Sequence, residues 1–153
     1  MPDSSPVSEL SDHLGFWLRA VSNHVSHAFA GKLAASGVTV AEWVMMRSMY
    51  RTDPIAPSRL ADDMGMTRGA ITKLASRLID KALVARAASP DDARAQTLAL
   101  TPEGAALVPE LAALADRNDA DCFGHMTDAD RETLERLLKQ LAGTGGVTTI
   151  PTD

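Results

Sequence analysis

Apolar residues recur along this chain at two periods, and the switch between them divides it. From residue 11 to 35, Leu14, Leu18, Val21, Val25, Phe29 and Leu33 stand three or four apart, which predicts a helix. His13, Trp17, Ala20, His24 and His27 form a second stripe on that helix, so it should be contacted from two sides. Gly37 ends it. Thr39 and Glu42 are spaced as a capping box, with the Thr hydroxyl capping the Glu42 N–H and the Glu reaching back. Trp43, Val44, Met45, Met46, Met49 and Tyr50 fill the following three turns, which should be nearly buried until Thr52-Asp53-Pro54 breaks them.

Residues 57–81 read as two helices around a tight turn. Leu60, Ala61 and Met64 face inward on the first, and Gly65 supplies a residue that tolerates positive φ. Thr67 is the N-cap expected for the second, whose Ile71, Leu74, Leu78 and Ile79 share one stripe. Its other face carries Arg68, Thr72, Lys73, Ser76 and Arg77. That is a helix-turn-helix whose second helix fits a DNA major groove. The same pattern also fits a plain packing corner.

After Lys81 the period becomes two. Residues 83–86 and 96–100 are short apolar-alternating runs around a polar loop, which predicts a β-hairpin placed as the wing of a winged helix. Thr101-Pro102-Glu103 starts another helix, expected to run to about His125 with an acidic, irregular second half. Thr127 and Asp130 open a last helix with Leu134, Leu137, Leu138 and Leu141 on one face. The fold class is therefore mainly α with a small β-hairpin. The expected layout is a flexible terminus at 1–10, a single domain at 11–141 and a tail at 142–153. Within the domain, a winged helix-turn-helix at about 40–101 lies between helices at about 11–36 and 102–141.

Charge sharpens the picture. The chain is net −5, yet residues 68–97 hold six basic against three acidic residues, a local +3. One positive segment in an acidic chain is the footprint expected of a nucleic-acid contact. The single Cys122 excludes an intrachain disulfide and suits a reducing compartment, and its acidic neighbours favour a passive thiol. No apolar run is long enough to span a membrane and no secretory signal opens the chain, so a cytoplasmic protein with no membrane partner is expected. There is no Gly-rich phosphate loop, H-E-x-x-H or G-x-S-x-G, which argues against an enzyme.

Asp92-Ala93-Arg94, three residues, then Leu98-Ala99-Leu100-Thr101-Pro102-Glu103-Gly104 spell D-x-R followed by L-x-L-T-x-x-G. With the stretch at 60–84, this resembles the MarR family of transcriptional regulators over roughly residues 11–141. Ala82 departs from the pattern, since members often carry Gly there. The resemblance implies a homodimeric winged helix-turn-helix repressor or activator bound to a pseudo-palindromic operator in double-stranded DNA. It also implies dimerisation through the first and last two helices, and a small phenolic or aromatic effector in the crevice between the lobes.

On that basis Arg94, at the hairpin tip, suits a narrow electronegative minor groove, with Asp92 placed to hold it by an ion pair. Arg68 could take a guanine edge, while Thr67, Gly69, Ala70 and Thr72 line the first turns. Lys73, Arg77 and Ser58 suit phosphate. Trp17, His24, His27, Trp43, Met46 and Arg47 are effector-pocket candidates, with Trp and Met at helical spacing equally suited to core. His13, His24 and His27 lack a completing carboxylate or Cys, so neither a metal nor another cofactor is expected. Leu14, Leu18, Leu134, Leu137, Leu138 and Leu141 are the dimer-interface candidates. The competing reading is a winged-helix protein-interaction module without DNA binding.

Overall fold

The computed structural model of the 153-residue chain describes residues 6–92, 94–148 and 150–152; residues 1–5 of the expected flexible terminus, and Ala93 of the wing motif, lie outside these. A single 3-10 turn at Leu10–Asp12 precedes α1 (Leu14–Ala34) and α2 (Val40–Met49). The helix-turn-helix is α3 (Pro57–Met64) and α4 (Arg68–Asp80). Strands β1 (Val84–Ala88) and β2 (Gln96–Leu100) make the hairpin, and α5 (Pro102–Phe123) and α6 (Asp128–Thr144) follow.

The caps are made where the sequence places them. Thr67 accepts from the Ala70 N–H at 3.1 Å, Thr101 from Gly104 at 3.0 Å and Thr127 from Asp130 at 3.1 Å. Each satisfies an N–H that the first helical turn leaves unpaired. Thr39 likewise accepts from the Glu42 N–H at 3.2 Å. The expected return bond from Glu42 to the Thr39 backbone is not formed. Glu42 is buried and its carboxylate turns instead to the Thr39 hydroxyl and to Lys81.

The core lies where α2, α3, α4 and the hairpin converge. Met45, Met46, Leu60, Met64, Ile71 and Leu78 are fully buried there, and Val108 and Leu111 of α5 close it from one side. Burial of each such side chain is worth about 1.5–3 kcal/mol, and this core holds the recognition helix. Of the residues expected to be nearly buried, Trp43 and Val44 of α2 and Tyr50 just after it are only half-buried. The helix stops at Met49, one turn before the expected break, and Arg51 takes φ +57°.

The hairpin pairs Val84 with Leu100 through to Ala88 with Gln96. A third segment joins it: the Ile55 N–H donates to the Leu98 carbonyl at 2.9 Å and the Leu98 N–H to the Ile55 carbonyl at 2.8 Å. This pairing of one linker residue has no periodic signal in the sequence.

Ala82, between α4 and β1, sits at φ +58°. Its N–H donates to the Ile79 carbonyl and that of Leu83 to Leu78, both at 2.9 Å, which closes the helix end. An L-residue in that conformation costs about 1–2 kcal/mol, whereas Gly adopts it freely at some entropic cost. Ala82→Gly should therefore stabilise the protein by about 0.5–1 kcal/mol. The check is the urea midpoint of the two proteins; an unchanged or lower midpoint would show that the turn carries no strain.

The flanking helices differ from expectation in three ways. The first is broken at His13, because the Asp12 carboxylate accepts the Glu9 N–H at 2.9 Å and holds a separate turn. Helix α1 packs on α5 and α2 only along its second half, and residues 14–24 are exposed rather than contacted from two sides. Third, α5 runs unbroken through its acidic half to Phe123. Buried Asn118 anchors that half, donating to the Val25 carbonyl at 3.2 Å and accepting from Lys32 Nζ at 3.0 Å. Lys32 also pairs with Asp121 at 3.2 Å.

Helix α6 buries no residue in the single chain: Leu134 is half-covered, and Leu137, Leu138 and Leu141 are 44%, 43% and 60% exposed. On it, a hydrogen bond from Lys139 holds the Glu135 carboxyl below the ordinary carboxylate range. The helix continues past Gly143 to Thr144, and Ile150 of the tail returns to pack against the core. Among the described residues no helix is long and apolar enough to cross a membrane.

Candidate nucleic-acid interface

Three elements deliver polar groups to one face. Helix α3 contributes Ser58, half-buried at its start, and α4 contributes its first turns. Thr67, Arg68, Gly69, Thr72, Lys73 and Arg77 are exposed there, and Ala70 is half-buried. The Thr72 hydroxyl donates to the Arg68 carbonyl at 2.9 Å, so Thr72 offers chiefly its methyl and its oxygen lone pairs outward. Beyond its own helix backbone and chain neighbours, Gly69 has no atom within 4 Å of where a side chain would stand, so this surface is open to close approach.

The hairpin completes the face. Because Ile55 pairs with Leu98 in antiparallel register, the start of α3 lies opposite Gln96. A cleft of about 310 Å³ opens where these meet, lined by Ser58, Arg68, Thr72 and Gln96 among others. Gln96 is a candidate site residue that the sequence reading did not name. Its position follows from the strand register, which depends on a pairing invisible in the periodicity.

Arg94 is exposed beside the hairpin loop. The expected Asp92–Arg94 ion pair is not formed. Asp92 Oδ1 accepts the Arg94 backbone N–H at 2.9 Å, a local turn that shapes the loop and leaves the guanidinium unheld. Among the described residues, Arg68, Lys73, Arg77, Arg86 and Arg94 make no ion pair, whereas Lys32, Arg59, Lys81, Arg131 and Lys139 each do. Five of the cations without an ion pair among the described residues thus stand on α4 and the hairpin, and Arg19, Arg47, Arg51, Arg117 and Arg136 are the others.

The effector-pocket candidates are dispersed. Trp17 is exposed, edge-on to Phe16 at 5.3 Å, with its indole N–H donating to the Ser11 carbonyl at 2.9 Å. His24 is exposed, and His27 borders a depression of about 440 Å³ walled by α1 residues alone. Trp43 packs half-buried on the core and Met46 is fully inside it. Arg47 stands with Arg51 around the Tyr50 ring, at 6.0 and 5.1 Å from its centroid. The six do not line a common cavity among the described residues. No cluster of three or more metal-ligating side chains occurs there either.

The model of the MarR family matches residues 36–95. A protein of Thauera aromatica named for transcriptional regulation of the hcr operon is 32% identical over 146 residues, covering 92% of this chain and 88% of the relative. The chain belongs to the MarR family of transcriptional regulators. The HTH-type transcriptional repressor Rv2887 of Mycobacterium tuberculosis is 27% identical over 128 residues, covering 84% and 92% of the two chains. Its structure in complex with p-aminosalicylic acid is similar with a TM-score of 0.66 at 25% identity, covering 85% of this chain and 98% of that one. A probable transcriptional regulator from Pseudomonas aeruginosa reaches a TM-score of 0.76 at 28% identity, covering 87% and 99%. As a MarR-family member this chain is a regulator built as a winged helix, and not an enzyme.

Proposed function

We propose that this MarR-family protein is a homodimeric repressor that reads a pseudo-palindromic operator and releases it on binding a small aromatic acid. The observation that carries the reading is the placement of exposed Arg68, Lys73, Arg77, Arg86 and Arg94 on α4 and the hairpin, in a chain whose net charge is −5. Leu14, Leu18, Leu137, Leu138 and Leu141, all exposed, supply the dimer contact together with half-buried Leu134. The repressor and aminosalicylate relatives support both the direction of regulation and the class of effector, and exposed Arg47 offers a cation for its carboxylate.

The test is a mobility shift with the DNA flanking the protein's own coding region, run across a salt series. Two subunits using Lys73 and Arg77 neutralise about four phosphates, so log K should fall against log salt with a slope of roughly −3 to −4. A slope near zero would place the contact elsewhere.

The hairpin and the recognition helix should fail differently. Arg94→Ala should weaken operator binding by about 1–3 kcal/mol while leaving base preferences unchanged, because a guanidinium in the minor groove reads width and potential. Arg68→Ala should flatten preference at one position per half-site, also by about 1–3 kcal/mol. Both variants are to be measured on a panel of single-base operator changes. Parental binding by Arg94→Ala makes the hairpin purely structural. A uniform loss by Arg68→Ala makes Arg68 a phosphate ligand, as its seat in the cleft with Ser58 and Gln96 would also permit.

A further inference from the structure

Lys81 is basic and caps the recognition helix, yet its ammonium turns inward. Nζ lies 2.6 Å from Glu42 Oε2 and donates to the Gly37 carbonyl at 2.7 Å. The other carboxylate oxygen of Glu42 accepts the Thr39 hydroxyl at 3.1 Å. Glu42 is 1% exposed and is the one fully buried carboxylate among the described residues. Gly37, Thr39 and Glu42 form the corner between α1 and α2, so a single side chain ties the end of α4 to that corner.

We propose that Lys81 and Glu42 are positioning residues that fix the angle of the recognition helix against α1, and so set the distance between the two recognition helices of the dimer. This rests on the DNA-binding reading above. Apolar contacts around α4 hold it without direction. The ion pair is directional: both carboxylate oxygens and two of the three ammonium protons are committed. Glu42 is buried while the Lys81 side chain is 38% exposed, and an ion pair that buries one of its charges contributes little as a stabiliser, since hydrophobic residues of like volume often hold a fold as well. What it supplies is one geometry.

Geometry makes that matter. Helix α4 has 13 residues, so at 1.5 Å per residue its groove-entering end lies about 20 Å from Lys81. A tilt of about 5° at the Lys81 end then moves that tip by nearly 2 Å over this length, which is more than hydrogen bonds to base edges tolerate. Lys81 is thus a lever point remote from DNA and not a phosphate ligand.

The experiment uses the full-length protein and duplexes it selects from a random library, remade with half-site centres moved apart or together by one base pair. Lys81→Met, confirmed as a folded dimer, should bind the selected spacing about tenfold or more weakly. It should discriminate less between spacings, and its salt slope should equal the parent's. A salt slope shallower by roughly 2, the contribution of one phosphate per subunit, would overturn the proposal by making Lys81 a phosphate contact. Parental affinity and spacing preference would overturn it by leaving the pair a purely structural role. Should Lys81→Met not fold, Glu42→Gln keeps the shape and removes the charge, and its spacing preference is judged by the same two outcomes. A parent that selects no sequence overturns the DNA-binding reading itself, a distinct result.

Discussion

Replacing Leu137 and Leu141 together by Glu should leave a folded monomer that has lost its operator. In the single chain α6 buries nothing, and these two side chains are 44% and 60% exposed. Their substitution therefore removes no contact from the core around α2, α3 and α4, and the helical content should stay parental. In the proposed dimer the same side chains would be buried, and each subunit would carry two carboxylates into an apolar interface, facing those of its partner. Burying a charge without a partner costs several kcal/mol, more than a surface of this kind returns. The sedimentation profile should shift from dimer to monomer at micromolar concentration. Losing the second half-site removes the gain of simultaneous engagement, so operator binding should weaken by about 10³-fold or more. A parent protein that is already a stable monomer at that concentration would sink the regulator reading, because paired half-sites require paired recognition helices.

Gly104→Ala should destabilise the chain by about 3 kcal/mol or more, at the upper end of overpacking costs. A Cβ built on Gly104 would stand 2.1 Å from the Leu83 carbonyl oxygen and 3.3 Å from Leu100 Cδ2. That oxygen cannot retreat easily, since it accepts the Thr101 N–H at 3.0 Å. The neighbouring Ala82 carbonyl accepts the Thr101 hydroxyl at 2.7 Å. Helix α5 would have to move off the strand, dragging Val108 and Leu111 from the core. The sign is what decides: helix propensity alone favours Ala over Gly by about 1 kcal/mol. Gly31, within α1, has nothing beyond its own helix backbone and chain neighbours within 4 Å of a prospective Cβ, so Gly31→Ala is the control that should show that gain. Urea unfolding of both variants separates the two terms. If Gly104→Ala were as stable as the parent, the close approach of α5 to β1 would not be fixed.

The contrast between these glycines shows where the sequence stops informing. Thr39, Thr67, Thr101 and Thr127 could each be named as a cap, because a cap's partner is three residues away and the backbone geometry of a helix start supplies the rest. The two helices at 57–81, the Gly65 turn and the hairpin were legible for the same reason: their hydrogen bonds are local and their apolar periods are short. The collection of Arg68, Lys73 and Arg77 on the exposed face of α4 follows from helical spacing.

Everything decided over distance was not. Glu42 has a local partner in the Thr39 hydroxyl and a distant one in Lys81, and only the packing of α4 against the α1–α2 corner brings the second within reach. Gln96 shares a cleft with Arg68 because Ile55 pairs with Leu98 over a sequence separation of 43, a register that no period encodes. Asn118 looks like one more polar residue in an acidic run, and is buried because α1 presents Lys32 and the Val25 carbonyl to it. Trp17 and Met46 fit the same helical stripe arithmetic, yet one ends exposed and the other in the core. Local spacing fixes which side of a helix a residue occupies; the identity of what lies on that side is set by the entropy-costly closure of long loops, and that closure is decided by the whole core at once.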